Sequence, residues 1–148
     1  MRTLLSPART APVLTDVALL VARVALGVVL LAHGWQKLDE WTVAGTASAF
    51  GDMGIPVPSV AAPFVTAVEL VGGAALVLGL LTPVVALLNL LNMLGAIVLV
   101  HAGNGLFVAD GGFELVLTIL AGLATIAVLG AGRFSIDEVL RRVGRSDR

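Results

Sequence analysis

The chain has 148 residues, of which 58% are hydrophobic and 13% charged, with a formal net charge of −1 and a mean hydropathy of +1.03. Soluble domains contain about 45–50% apolar and about 25% charged residues, so this composition indicates a membrane domain and disfavours binding to nucleic acid. Because the chain has no cysteine, it cannot supply thiolate metal sites, iron–sulfur ligands or a protein thiol.

Four apolar runs are each long enough to cross about 30 Å of hydrocarbon, which takes about 20 helical residues. They lack the alternation that marks a membrane β-strand, and in lipid the backbone must then satisfy its hydrogen bonds as helices. We predict one all-α domain over residues 1–148, an integral membrane four-helix bundle. The predicted spans cover residues of about 16–38, 60–81, 84–102 and 113–131.

The first run is expected to be a retained span rather than a cleaved signal peptide. Arg23 interrupts it, and no small-residue cleavage site precedes the polar residues around His33. In the loop that follows, apolar residues interspersed with Thr and Ser over 42–53 predict a short interfacial helix, flanked by Trp35 and Trp41.

Turn-forming residues define the other connections. Thr82-Pro83 separates the second and third spans, and two residues allow only a tight hairpin between antiparallel neighbours. Gly103-Asn104-Gly105 and Asp110-Gly111-Gly112 bound the loop between the third and fourth spans, which must therefore bend sharply.

The end of the chain predicts a short amphipathic helix over residues 135–143. Ser135 and Glu138 have the spacing of a capping box, in which each side chain bonds a backbone N–H of the first turn. Its apolar side would rest on the membrane and its basic side would face acidic lipid headgroups. The apolar residues are Ile136, Val139, Leu140 and Val143, and the basic residues are Arg141, Arg142, Arg145 and Arg148.

Basic residues also predict the orientation. Arg2 and Arg9 precede the first span and arginines follow the last, whereas residues 39–132 contain neither Lys nor Arg. Since short cytoplasmic segments carry an excess of these residues, both termini are expected on the cytoplasmic side of the inner membrane.

Ionisable residues within the spans are the best indication of a site, since a charge near the bilayer centre costs about 3 kcal/mol or more. On a helical wheel, Arg23 and Glu69 each share a stripe with glycines that allow close helix packing. At 1.5 Å per residue they lie about 10 and 18 Å from the cytoplasmic face, an offset that an arginine can bridge. We therefore predict an Arg23–Glu69 pair, which either braces a pocket or only fixes helix register. The predicted packing residues are Gly27, Gly34, Gly72, Gly73, Asn89 and Asn92.

Four further groups at similar depth predict a ligand-binding pocket open to the outside. They are His33, Lys37, His101 and Glu114, with Lys37 and Glu114 as an expected ion pair. Each histidine could instead satisfy a backbone carbonyl or a water. Haem ligation by the two histidines is a less favoured alternative. No motif identifies a catalytic residue or a metal site, so the sequence does not establish whether the protein is an enzyme.

Short motifs occur in a fixed order along the chain. They include Arg23, Gly27, His33-Gly34-Trp35-Gln36-Lys37, Gly54-Ile55-Pro56, Glu69-Leu70-Val71-Gly72-Gly73, Gly79-Leu80-Leu81-Thr82, Met93, His101, Gly111-Gly112-Phe113-Glu114 and Gly130-Ala131-Gly132-Arg133-Phe134-Ser135-Ile136-Asp137. This ordered set, which covers nearly the whole chain from Ala22 to Val139, resembles the DoxX family of small membrane proteins. The resemblance implies a four-helix membrane bundle. It also implies a redox role, because related DoxD/DoxX-type proteins form the membrane part of thiosulfate:quinone oxidoreductase in some archaea.

By this resemblance, the expected function is a membrane subunit that binds a quinone or another small apolar molecule between its helices and works with a soluble or membrane redox partner. His33, Lys37 and His101 would bond the polar head group, and Glu69 could exchange a proton. The alternatives are a non-enzymatic module for lipid or small-solute binding or transport, and an anchor that recruits soluble partners. Membrane lipids are expected partners, a homo-oligomer is an option, and neither nucleic acid nor a covalent cofactor is expected.

Overall fold

The computed structural model describes residues 11–146, and within this range it is helical with no strand. The all-α prediction is confirmed, and each predicted span coincides with one of the apolar helices α1, α3, α4 and α5. The helices are α1 (Pro12–Trp35), α2 (Thr42–Asp52), α3 (Pro58–Leu78), α4 (Thr82–Ala96), α5 (Glu114–Leu129) and α6 (Ile136–Ser146).

Three helical segments are long and apolar enough to cross a membrane, namely Pro12–Glu40, Pro58–Leu78 and Thr82–Asn104. The first continues α1 through a π-helical turn, Gln36–Glu40, and the third continues α4 through another, Ile97–His101. The fourth apolar helix, α5, has 16 residues, about 24 Å of helix, and is shorter than a typical span.

The two ends of the bundle carry different elements. At the first, called here the tail end, α1 begins, α3 meets α4, and α6 follows α5. At the other, called the loop end, lie α2 and the segment between α4 and α5. Arg2, Arg9 and Arg148, which contribute to the orientation argument, lie outside the described residues.

The turn between α3 and α4 lies slightly before its predicted position. Gly79 ends α3 with φ +69°, a left-handed conformation that glycine adopts without strain. Thr82 and Pro83, predicted as the hairpin itself, are instead the first residues of α4. Proline is favoured there because the first helical N–H groups have no intrahelical acceptor.

Glycine brings α1 and α3 into backbone contact. A Cβ added to Gly73 would lie 2.7 Å from the carbonyl oxygen of Gly27, and one added to Gly34 would lie 2.6 Å from the nitrogen of Leu70. Larger side chains are therefore excluded along this crossing. The rest of the core is aliphatic, with Leu30, Leu76, Ala86, Met93, Val116, Ile119, Leu123 and Ile126 buried together.

The two short helices match their predictions closely. α2 packs against α3 and buries Thr46, whose hydroxyl donates to the carbonyl of Thr42. α6 runs to Ser146, three residues beyond the predicted end, and the Ser135 hydroxyl accepts a hydrogen bond from the N–H of Glu138. The bundle leaves the apolar side of α6 uncovered, with Val139, Leu140 and Val143 each more than half exposed.

Candidate functional site

A buried ion pair lies in the middle of the bundle. Lys37 Nζ is 2.6 Å from Glu69 Oε2, and the two side chains are 12% and 6% exposed. Asn92 donates from Nδ2 to the other carboxylate oxygen of Glu69 at 3.3 Å. Glu69 is the twelfth of 21 residues in α3, so this charged, hydrogen-bonded cluster joins the π-helical turn after α1 to α3 and α4 about halfway along α3.

This arrangement corrects the predicted Arg23–Glu69 pair. Arg23 Nη1 donates to the carbonyls of Leu76 and Val77 at 2.9 and 2.7 Å, and Nη2 donates to the carbonyl of Phe134. Arg23 therefore caps the last turn of α3, where helix carbonyls lack intrahelical donors and carry partial negative charge. Backbone acceptors bond its two Nη groups in place of a carboxylate.

The Lys37–Glu114 pair is also replaced. Lys37 lies in the π-helical turn that continues α1 and turns inward to Glu69. Glu114 Oε1 instead accepts from the N–H of Val108 at 2.7 Å, and so fixes the loop that leads into α5. Sequence reasoning assigned Lys37 to the wrong carboxylate and missed Asn92 as a partner of Glu69.

The two histidines are each fixed through one ring nitrogen. His33 Nδ1 bonds the carbonyl of Val29 at 2.9 Å, and His101 Nδ1 bonds the carbonyl of Gly111 at 2.6 Å. A carbonyl oxygen only accepts, so Nδ1 is the protonated nitrogen in both rings. Each neutral ring then presents Nε2 as an acceptor, and this nitrogen has no partner among residues 11–146.

A groove of about 340 Å³ lies between α3 and α4 and opens toward lipid. Two of the predicted packing residues line it. Its floor includes Gly72 and Asn89. Asn89 is fully buried and donates to the carbonyls of Val68 and Val85. A side chain at position 72 would collide with the Asn89 amide. The walls of the groove are apolar and exposed, and are formed by Phe64, Val71 and Leu88. Because Val68 adjoins Glu69, the groove and the buried ion pair share one turn of α3.

The tail end is held together by side chains from α1 and α6. Both carboxylate oxygens of Asp137 accept backbone N–H groups at the start of α4, from Leu81 at 2.7 Å and Thr82 at 2.8 Å. Arg133 pairs with Asp16 through its backbone N–H and Nε, at 3.0 and 3.1 Å. Through these bonds, Arg133 and Asp137 attach the segment after α5 to α1 and to the start of α4.

Glu138, in the first turn of α6, is bonded to two arginines. Hydrogen bonds from Arg141 and Arg142 lower the pKa of Glu138 to about 2, and the same contact raises the pKa of Arg141. A carboxyl whose pKa is lowered in the folded chain stabilises it above the ordinary pKa and loses that effect as the pH falls toward the folded value. At neutral pH the carboxylate is therefore ionised and both arginines remain attached.

With this geometry in place, comparison with known proteins identifies the family. The family model described as DoxX matches residues 18–102. The chain belongs to the DoxX family. It is 34% identical over 129 residues to "Inner membrane protein YqjF" of Escherichia coli, covering 87% of this chain and 96% of that protein.

Two further DoxX-like relatives align over most of their length. "Putative oxidoreductase CatD" of Bacillus subtilis is 30% identical, with 82% of this chain and 86% of the relative covered. "Uncharacterized membrane protein Rv3486" of Mycobacterium tuberculosis is 35% identical, with 81% and 79% covered. No solved structure matches the chain. The chain is therefore a DoxX membrane protein, and the buried Lys37–Glu69 pair lies inside the family-matched region.

Proposed function

We propose that this DoxX protein binds a quinone-type or other small apolar molecule between its helices and exchanges protons with it. The observation that carries the proposal is the Lys37–Glu69 pair with Asn92, a charged cluster halfway along the apolar helix α3. Ionisable groups at that depth are rare and mark proton or substrate pathways. A helical bundle without chemistry does not need them, which argues against a pure anchor.

Two features fit a quinone-type ligand. The groove between α3 and α4 is apolar and open to lipid, and it is lined by Val68, the residue before Glu69. His33 and His101 each present a neutral Nε2, an acceptor that suits the hydroxyl of a quinol. The oxidised molecule has a carbonyl in that place, which needs a donor, and a protonated Nε2 or the Lys37 ammonium can supply one.

The reaction needs a second protein for the electrons. Oxidation of a quinol to a quinone releases two protons and two electrons, and reduction takes them up. Histidine and the Lys37–Glu69 pair can hold protons, but they carry no electrons, so the proposal includes a redox partner that donates or accepts the pair. The name of the relative CatD supports the assignment to this class.

Binding of a short-chain ubiquinone analogue tests the proposal. The chain has two tryptophans, Trp35 and Trp41, and quenching of their fluorescence reports a ligand at the loop end. We expect the His33→Ala and His101→Ala variants to bind about tenfold more weakly, because each loses one hydrogen bond to the polar head group of the ligand. Arg142→Ala, at the tail end, is the matched control and should bind normally.

The same binding measurements also distinguish a quinone-binding protein from the main alternative, a module for lipid binding or transport. Unchanged affinity in both histidine variants would remove these residues from the site. If the purified protein carries a lipid, identified by mass spectrometry, and neither the quinone nor the quinol competes with it, a lipid-binding or transport module is the better description.

We infer that both termini are cytoplasmic. Arg133, Arg141, Arg142 and Arg145 all lie at the tail end, which supports this orientation by the excess of positive charge inside. The absence of cysteine makes single-cysteine labelling in intact cells direct. An impermeant maleimide should label Ser48→Cys in α2 at once and Ser146→Cys only after permeabilisation. The reverse pattern would invert the topology.

A further inference from the structure

We infer that the cavity at the tail end, bounded by α6 and the starts of α1 and α4, binds the phosphate of an anionic membrane phospholipid. This site is separate from the quinone site and does not depend on it. The cavity has a volume of about 590 Å³. Its lining includes Leu81, Pro83 and Val84 on α4 and its N-terminal turn, and the charged residues Arg133, Glu138 and Arg141.

The two walls of this cavity differ in the way that a phospholipid requires. One wall is apolar, formed by Leu81, Pro83 and Val84 at the start of α4, and Leu81 and Val84 are each more than half exposed. This wall continues into the exposed apolar surface of α4 at Leu87 and Leu91. The other wall carries the charged groups, so an acyl chain and a headgroup can be accommodated side by side.

The groups of the cavity that have no hydrogen-bond partner favour an anion as the ligand. Both oxygens of each carboxylate are occupied: Asp16 by Arg133, Asp137 by the backbone N–H groups of α4, and Glu138 by Arg141 and Arg142. Arg133 uses only Nε of its guanidinium and Arg141 leaves Nη1 unused, counting all partners within residues 11–146. The unpaired groups are thus guanidinium N–H donors, whose geometry matches phosphate oxygens.

The position on the membrane favours a lipid over a free ion. The cavity lies where the apolar span of α4 begins, which is the level of the headgroups. α6 contributes Arg141 and exposes its apolar residues Val139, Leu140 and Val143 beside it. An amphipathic helix of this kind lies in the interface, so the guanidinium groups of Arg133 and Arg141 are held at phosphate depth.

Lipid binding to the purified full-length protein tests the inference. In detergent, phosphatidylglycerol should be retained in native mass spectra and should raise the melting temperature, whereas phosphatidylcholine at the same mole fraction should do so weakly. Arg133→Gln and Arg141→Gln should each weaken phosphatidylglycerol binding about fivefold, and the double variant about 25-fold. Arg145→Gln is the control, because Arg145 is on the same helix and does not line the cavity.

Each other outcome counts against the site. Equal binding of the two lipids would overturn the selection of an anion, and equal stabilisation by inorganic phosphate would overturn the lipid. An equal effect of Arg145→Gln would reduce the interaction to general surface charge. If Arg133→Gln folds poorly because its ion pair with Asp16 is lost, the lipid affinity of Arg141→Gln tests the site. That variant should fold normally, since Arg142 still bonds Glu138.

Discussion

Replacing Lys37 by methionine is expected to lower the free energy of unfolding by about 3–5 kcal/mol, because Glu69 is left as a lone charge in a medium of low dielectric constant. The side chain of Glu69 is 6% exposed, and its remaining partner, Asn92, is neutral. Unfolding with sodium dodecyl sulfate in detergent micelles, followed by circular dichroism, measures the change.

The pair itself is tested by removing both charges. Lys37→Met with Glu69→Leu should regain most of the loss, since a buried ion pair and an apolar pair often give similar stability. The exposed Arg142–Glu138 pair provides the comparison, and removing it should change the free energy of unfolding far less, because solvent screens the two charges. Additive effects of Lys37→Met and Glu69→Leu would contradict the contact, whereas Arg23→Met and Glu69→Leu should be additive.

Hydropathy sufficed to predict the positions of the apolar helices because each depends only on local composition. A run of about 20 apolar residues has one stable solution in lipid, and all four predicted runs coincide with helices. The capping pattern at Ser135 likewise predicted α6, since the bond from the Glu138 N–H to the Ser135 hydroxyl joins residues three apart.

The partners of the buried charges were not predictable in the same way. Matching residues by depth treats every helix as straight and counts only charged groups as partners. Arg23 Nη1 bonds carbonyls at the end of α3. Such acceptors exist at the end of every helix, and no sequence pattern identifies the one that an arginine will bond. Lys37 lies in a π-helical turn, where the helical repeat differs from that of an α-helix. No sequence motif predicts this turn, so a helical wheel does not give the direction of the Lys37 side chain.

The histidines show a related limit. Their depth correctly suggested that they belong to the loop end, but the carbonyls that orient their rings come from Val29 and from Gly111, which lies across a loop. Which nitrogen remains available depends on these contacts, one local within α1 and one across a loop, and it decides whether the ring first meets a ligand as an acceptor or as a donor.

Arg23→Met is expected to destabilise the tail end by about 3 kcal/mol, because a guanidinium that bonds three carbonyls is replaced by a side chain without donors. Arg23 is 2% exposed, and its Nη atoms connect α1 to the end of α3 and to Phe134 before α6. Without it, the carbonyl of Val77 loses its arginine donor and the carbonyl of Leu76 keeps only the N–H of Gly79, at the negative end of a helix dipole.

Shape should matter here as well as charge. Arg23→Lys keeps the positive charge, but one ammonium cannot reach three carbonyls in the way that a planar guanidinium does, so we expect the lysine variant to recover only part of the loss. Hydrogen exchange measured by mass spectrometry locates the effect. Exchange should accelerate at Leu81, whose N–H donates to the carboxylate of Asp137, and at Asp137, whose N–H donates to the carbonyl of Gly79. It should stay slow around Glu69. Arg145→Met, an exposed change in α6, is the control, and an unchanged exchange pattern in Arg23→Met would show that the tail end is held by Asp137 and Asp16 without the buried arginine.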